Sequence, residues 1–303
     1  MYVILDSLWP IGLALLLGLG LGRLWPALAR RTGPVLRLLV VLLLFYCGRE
    51  FSAILQPGPE LGKILKTSAI YALLTTGVSW GLIGALQHRA RGKLAGPRAP
   101  AQPRRWRLAV MDCLAALGTV ALGVIVGRHE WPVLNLIDTR LLIDLMVFLI
   151  GVELVEVSLA GVWKDRGAWA IPGLVIAGSA LGGMAAALWT GDSPRAGLAI
   201  AGGFGWVTLS SLLVSGSLGE TYGAIAMASD MFRELLAITA LYLFGARSRS
   251  RSIGICGATA LDATLPLIRA QCGPEAVPLA LLSGLVLTLA SPVLIVMCLR
   301  LGA

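Results

Sequence analysis

Apolar runs of about 20 residues recur along the chain, each bounded by a short charged or Gly/Pro-rich stretch, and a helix of that length crosses a hydrocarbon core of about 30 Å. Few folds are open to such a pattern. In lipid every backbone N–H and C=O must be satisfied internally, which leaves helices or closed barrels. Strands of a membrane barrel alternate apolar and polar residues over about 10 positions, and no such alternation runs through these segments. The expectation is an all-α polytopic membrane protein. With 57% of its 303 residues hydrophobic and 14% charged, the chain carries more apolar surface than one soluble core of that length hides.

Loop charge orients the spans, because Lys and Arg collect on the cytoplasmic side. The first span, near 2–22, contains Asp6 and no preceding base. A secretory signal has a positive start, so this reads as a retained helix with its N-terminus outside. A basic loop with Arg23, Arg30, Arg31 and Arg37 follows, then spans near 38–55 and 64–86. The linker 87–107 holds seven Arg and Lys and no acid, the strongest cytoplasmic marker. Spans near 108–127, 141–159 and 168–189 complete six crossings. The segment 196–217 is broken by Gly202-Gly203-Phe204-Gly205-Trp206; as a full crossing it would place Arg247, Arg249 and Arg251 outside, and as a re-entrant hairpin it leaves them cytoplasmic. A second hairpin is predicted at 253–268, and crossings near 222–245 and 277–299. The sum is about eight transmembrane helices plus two re-entrant hairpins, with both termini outside. The net charge of +9 therefore orients the protein, and nucleic acid is not an expected partner. The five cysteines and two histidines show no ligand spacing.

An internal repeat runs through the first six spans. Gly22-Arg23 with Trp25-Pro26 is echoed by Gly127-Arg128 with Trp131-Pro132, and Phe45-x-x-Gly48-x-Glu50 by Phe148-x-x-Gly151-x-Glu153. Three helices separate the copies, so they cross in opposite directions, as in many secondary transporters. The predicted regions are 1–86 and 108–190 as inverted scaffold repeats joined by the 87–107 linker, and 191–303 as a transport-site region of two hairpin-helix units.

Acids inside apolar helices point to function, since each costs at least about 2.5 to 3.5 kcal/mol at mid-bilayer. Asp230, Arg233 and Glu234 share one span, spaced so that Arg233 can pair with Asp230 and leave Glu234 freer. Asp262 lies in a segment broken by Gly257 and Pro266, where Thr259, Thr264 and unpaired carbonyls can join it around a cation. In the first hairpin Gly203 and Gly205 allow backbone N–H groups to approach a substrate carboxylate, and Ser210 and Ser211 add hydroxyls. Plainer alternatives remain: a structural ion-pair cluster, a capping Asp and glycines for helix packing. Glu50, Asp112, Asp138, Asp144, Glu153 and Glu156 lie nearer span ends and are expected on solvated faces.

The run Gly202-Gly203-Phe204-Gly205-Trp206, the segment Asp230-x-x-Arg233-Glu234-Leu235 and the segment Cys256-Gly257-Ala258-Thr259-x-x-Asp262-x-Thr264-Leu265-Pro266 resemble the bacterial lysine exporter (LysO) family. The resemblance implies an inner-membrane L-lysine exporter that requires the acids at Glu234 and Asp262. Lysine, with two ammonium groups and one carboxylate, suits acids beside backbone donors. Moving its positive charge outward against an inside-negative potential costs about 2.3 kcal/mol per 100 mV, which calls for antiport against inward protons or sodium. The alternative is another cation or organic-acid transporter, such as a sodium/proton antiporter. An enzyme is not expected: no Gly-x-Gly-Asp motif precedes Asp262, and the spans lack a His base. No cofactor is called for beyond the coupling ion, and a homo-oligomer is compatible with this class.

Overall fold

The computed structural model describes residues 2–25, 32–54, 61–89, 106–129, 139–153 and 160–300. Outside them lie linker residues 90–105, Arg30, Arg31, Asp138, Glu156, Pro26, Trp131, Pro132 and the end of the expected fifth span. The side chains of Arg37, Glu50, Asp112 and Glu153 are likewise outside the description.

Every regular element among the described residues is helical. In chain order they are α1 (Tyr2–Leu24), α2 (Thr32–Ile54), α3 (Leu61–Arg89), α4 (Trp106–Gly127), α5 (Thr139–Glu153), α6 (Ala160–Lys164), α7 (Arg166–Thr190), α8 (Pro194–Ala201), α9 (Val207–Leu218), α10 (Glu220–Phe244), α11 (Arg249–Cys256), α12 (Leu265–Cys272) and α13 (Val277–Arg300). Short 3₁₀ turns at Gly257–Leu261 and Pro274–Ala276 precede α12 and α13. Three helices among these residues are long and apolar enough to cross a membrane: Leu61–His88, Arg166–Thr190 and Pro274–Arg300. Large apolar side chains such as Leu16, Leu122, Leu188 and Val293 stand exposed, as helices facing lipid require.

Local chemistry sets the helix ends. The second helix starts at Thr32 rather than near Leu38, so Arg37 belongs to it and not to a loop; Pro34 sits in its first turn, where a missing N–H costs nothing. Asp165 caps α7 by accepting the Gly167 N–H at 2.8 Å. At the other end Gly191 takes φ 79° and donates its N–H to the Ala187 carbonyl, a left-handed stop that glycine adopts without strain. Ser193 then caps α8, with Pro194 at its first position.

The first six long helices pack in three pairs, α1 on α5, α2 on α4 and α3 on α7, through small residues. A Cβ on Gly18 would run into the Phe148 carbonyl, and one on Gly123 into the Phe45 carbonyl. A Cβ on Gly48 would meet the Val120 carbonyl, and one on Gly151 the Leu15 carbonyl. In the third pair Gly178 lies against Ser79 and Gly182 against Thr75. Raising one residue number of a contact by 103 to 105 and lowering the other by 103 to 105 generates its counterpart in each case. α3 and α7 run antiparallel, Thr75 meeting Gly182 and Ser79 meeting Gly178, whereas α2 and α4 run in the same direction, Phe45 meeting Gly123 and Ser52 meeting Gly127.

In the second half α10 packs against α3, α4, α9 and α11. α8 and α9, on either side of the Gly202–Trp206 break, return the chain to the level at which it entered. Tyr222 at the start of α10 donates its hydroxyl to Asp192, just before α8, at 2.9 Å. Tyr71 of α3 and Thr190 of α7 donate to the same carboxylate at 3.0 and 2.6 Å. α11 and α12 behave alike: Gly245, after α10, packs on Gln271 and Cys272 at the end of α12.

Candidate functional site

The two chain breaks face each other. The Phe204 carbonyl accepts the Ala258 N–H at 2.8 Å, and Gly257, at φ 67°, presses so closely on Phe204 that any side chain there would collide with its carbonyl. Phe204 itself adopts φ 51°, and Gly205 φ 91°, the left-handed region that a non-glycine residue enters only under constraint. α13 supports the junction: Ser291 donates to the Gly202 carbonyl at 2.8 Å, and Gly284 accommodates the backbone of Leu261.

Asp230 is the constraint on the first break. It is fully buried, and its carboxylate accepts the Gly205 N–H at 2.8 Å and the Ser210 hydroxyl at 2.5 Å, while Gly203 leaves it room. The glycine N–H expected to receive a substrate carboxylate is thus taken up by one of the protein's own. Asp230 and Arg233 act on each other electrostatically, but the hydrogen bonds of Arg233 go elsewhere: to the Ala201 carbonyl at 3.3 Å and the Ser179 hydroxyl at 3.2 Å, with the guanidinium 5.8 Å from the Phe204 ring centre. A cation at the last carbonyls of α8 suits the negative end of its dipole. The i, i+3 spacing suggested a direct pair; instead each charge holds a different side of the break, because the broken backbone offers more unpaired donors and acceptors than the neighbouring side chain does.

At the second break Thr259 donates to the Cys256 carbonyl at 2.8 Å, and Thr264 donates to the Thr259 carbonyl at 2.9 Å. The Thr259 carbonyl also accepts the backbone N–H groups of Asp262 and Thr264, at 3.1 and 3.0 Å. Asp262 is half-buried, and its Oδ1 accepts the Ala263 N–H at 2.6 Å. Glu234 is half-buried too, within electrostatic reach of the Cys256 thiol. Of the three embedded acids, Asp230 is sealed in protein, and Glu234 and Asp262 keep exposed surface beside the second break. Ser211 lies apart from this network; its carbonyl faces Gly223 on the seam between α9 and α10.

Sequence reasoning missed several members. Ser179 and Ser291 hold Arg233 and the first break, and their only signal is a hydroxyl inside an apolar span. Asp144, expected on a solvated face, is half-buried with Oδ1 shielded from solvent and lies within electrostatic reach of Asp262. Ala263 packs beside it, on the cluster of Leu39, Leu43, Tyr46, Leu142 and Met146. The approach of α5 to the break is a tertiary contact that proximity to a span end does not disclose.

Apolar helices exposed to lipid around a polar interior organised by two facing breaks define a polytopic helical membrane protein. Residues 117–299 match the family model of the lysine exporter LysO. The chain is similar to lysine exporter LysO of Escherichia coli K12, 30% identical over 262 residues, covering 85% of this chain and 87% of that protein. It is also similar to a Haemophilus influenzae Rd protein named as a candidate lysine exporter, 32% identical over 184 residues, 59% of this chain and 94% of that one. The chain belongs to the lysine exporter LysO family.

Proposed function

We propose that the protein exports L-lysine across the bacterial inner membrane, in exchange for inward protons or sodium. The observation that carries the reading is the pair of half-buried acids, Glu234 and Asp262, flanking a break whose backbone is already satisfied by Thr259 and Thr264. Embedded acids of this kind mark ion and substrate paths. Asp230, Arg233, Gly203, Gly205 and Ser210 form the frame that holds the first break against the second. In this reading the protein is a carrier, not an enzyme, and Glu234 and Asp262 bind the lysine ammonium or the coupling cation in alternation.

The membrane arrangement belongs to the same proposal: about eight crossings, α8–α9 and α11–α12 as re-entrant hairpins, and both termini outside. The return of each helix pair to its starting level supports the hairpins, and the mirrored glycine contacts support an inverted repeat. The test is lysine flux in proteoliposomes with other cations and organic acids as competitors. Preference for lysine, with counter-flux of a proton or sodium, supports the proposal. Flux of sodium and protons alone would replace it with a sodium/proton antiporter.

A further inference from the structure

α7 has a latch at one end and a cavity at the other. Beyond its C-terminus, Asp192 ties α3, α7 and α10 together. At its N-terminus a half-open cavity of about 40 Å³ is lined by Asp165, Arg249, Ser250 and Glu275 over an apolar floor of Ile171, Ile253 and Leu279. That space holds about three waters. It therefore seats the head of a small ligand, not a whole amino acid. The floor residues are buried, so polar contacts above them are shielded from water on one side.

The charges are mixed in a specific ratio: one guanidinium and two carboxylates. The Arg249 Nη2 and the Glu275 carboxylate converge over Gly273, within 3.9 and 2.7 Å of where a side chain there would begin. Asp165 stands at the mouth with one oxygen engaged in its cap. A free α-amino acid has the complementary head: a carboxylate, which a guanidinium fork binds well, and an ammonium beside it, for which the carboxylates serve. An anionic phosphate would meet two like charges. Ile253 in its floor is one helical turn before Gly257 at the second break.

We propose that this cavity is the capture site at which a cationic amino acid docks by its head group from the cytoplasm, before Glu234 and Asp262 take its side-chain ammonium. The inference rests on the lysine-export reading, in whose topology Lys164, Arg166 and Arg247 place this end of the protein in the cytoplasm. Arg249 reads the substrate carboxylate, Glu275 and Asp165 the α-ammonium.

Inside-out membrane vesicles present this face to the medium, so lysine uptake into them reads the capture step. Arg249→Gln and Glu275→Gln are expected to raise the lysine KM about tenfold, the loss of one charged contact of about 1.4 kcal/mol, with maximal rate within about twofold. Lysine amide, which lacks the carboxylate charge, is the second probe. Wild type is expected to prefer lysine to the amide as competitor, and Arg249→Gln to lose that preference. If Arg249→Gln does not assemble, Arg249→Lys is expected to keep the preference and Glu275→Gln to carry the KM comparison. Unchanged KM and unchanged preference, in vesicles where wild type carries lysine, overturn the capture site alone. Unchanged KM with loss of a co-purified phospholipid from Arg249→Gln reassigns the cavity to a lipid headgroup and overturns it as well. No lysine uptake by wild type refutes the export reading, and the capture site with it.

Discussion

At the residue scale, burial separates acids that the sequence presents as similar. Asp230 is enclosed and fully engaged by Gly205 and Ser210, whereas Glu234 and Asp262 keep exposed surface. Removing one charge of a buried pair costs about 3–5 kcal/mol, since its partner stays buried and uncompensated. Asp230→Asn is therefore expected to lower thermal stability and yield in detergent, and Asp230→Asn with Arg233→Gln to recover part of the loss. Full stability of the single variant would show that Asp230 does not hold the break. Glu234→Gln and Asp262→Asn are expected instead to reach the membrane at wild-type levels and to abolish lysine efflux. Wild-type flux through either variant would remove it from the site.

At the scale of elements, the helix pairs meet through glycines whose contacts are mirrored across the repeat. Gly18 and Gly123 each face a phenylalanine carbonyl of the partner helix, at Phe148 and Phe45, while Gly20 and Gly118 have nothing within 4 Å. Forcing extra volume into a close contact typically costs about 1–3 kcal/mol. Gly18→Leu and Gly123→Leu are expected to depress the melting temperature by similar amounts, and Gly20→Leu and Gly118→Leu to leave it nearly unchanged. Unequal losses at Gly18 and Gly123 would show that the two halves are not equivalent. The breaks follow a different logic: at Gly257 an alanine would have to adopt φ 67° and displace the Phe204 carbonyl, so Gly257→Ala is expected to separate the two tips and end transport.

At the scale of the whole molecule, the proposed topology and coupling stand or fall together. In a cysteine-free background, a cysteine at Ser193 is expected to react with an impermeant reagent in intact cells and one at Ala101 to be protected. The reverse pattern would invert the topology. If one proton enters for each lysine that leaves, charge cancels and the pH gradient drives export; two cations would draw on the voltage too. An imposed proton or sodium gradient is therefore expected to drive lysine uphill in wild-type proteoliposomes, with the Glu234→Gln protein inert. Uphill movement without either gradient would rule out antiport.

Much of this was legible in the one-dimensional pattern. Apolar runs of spanning length without strand alternation required helices, because lipid leaves the backbone only helices or closed barrels. The glycines at 202–205 and 257 marked the breaks, since an interrupted helix inside an apolar segment needs residues of that kind, and Gly48 and Gly151 of the echoed Phe45-x-x-Gly48 and Phe148-x-x-Gly151 fall where the helix pairs touch. What spacing along one helix could not reveal is which partner each polar group finds across helices. Asp230 and Arg233 are three residues apart, yet they bond to Gly205 and Ser210 and to Ala201 and Ser179. Asp144 looked like a span-end acid until α5 met the second break. The cavity of Arg249 and Glu275 draws on α6, α7, α11 and α13. Helix formation is local and reads from the chain; the satisfaction of buried charges depends on neighbours hundreds of atoms away in sequence, and only the packed structure decides it.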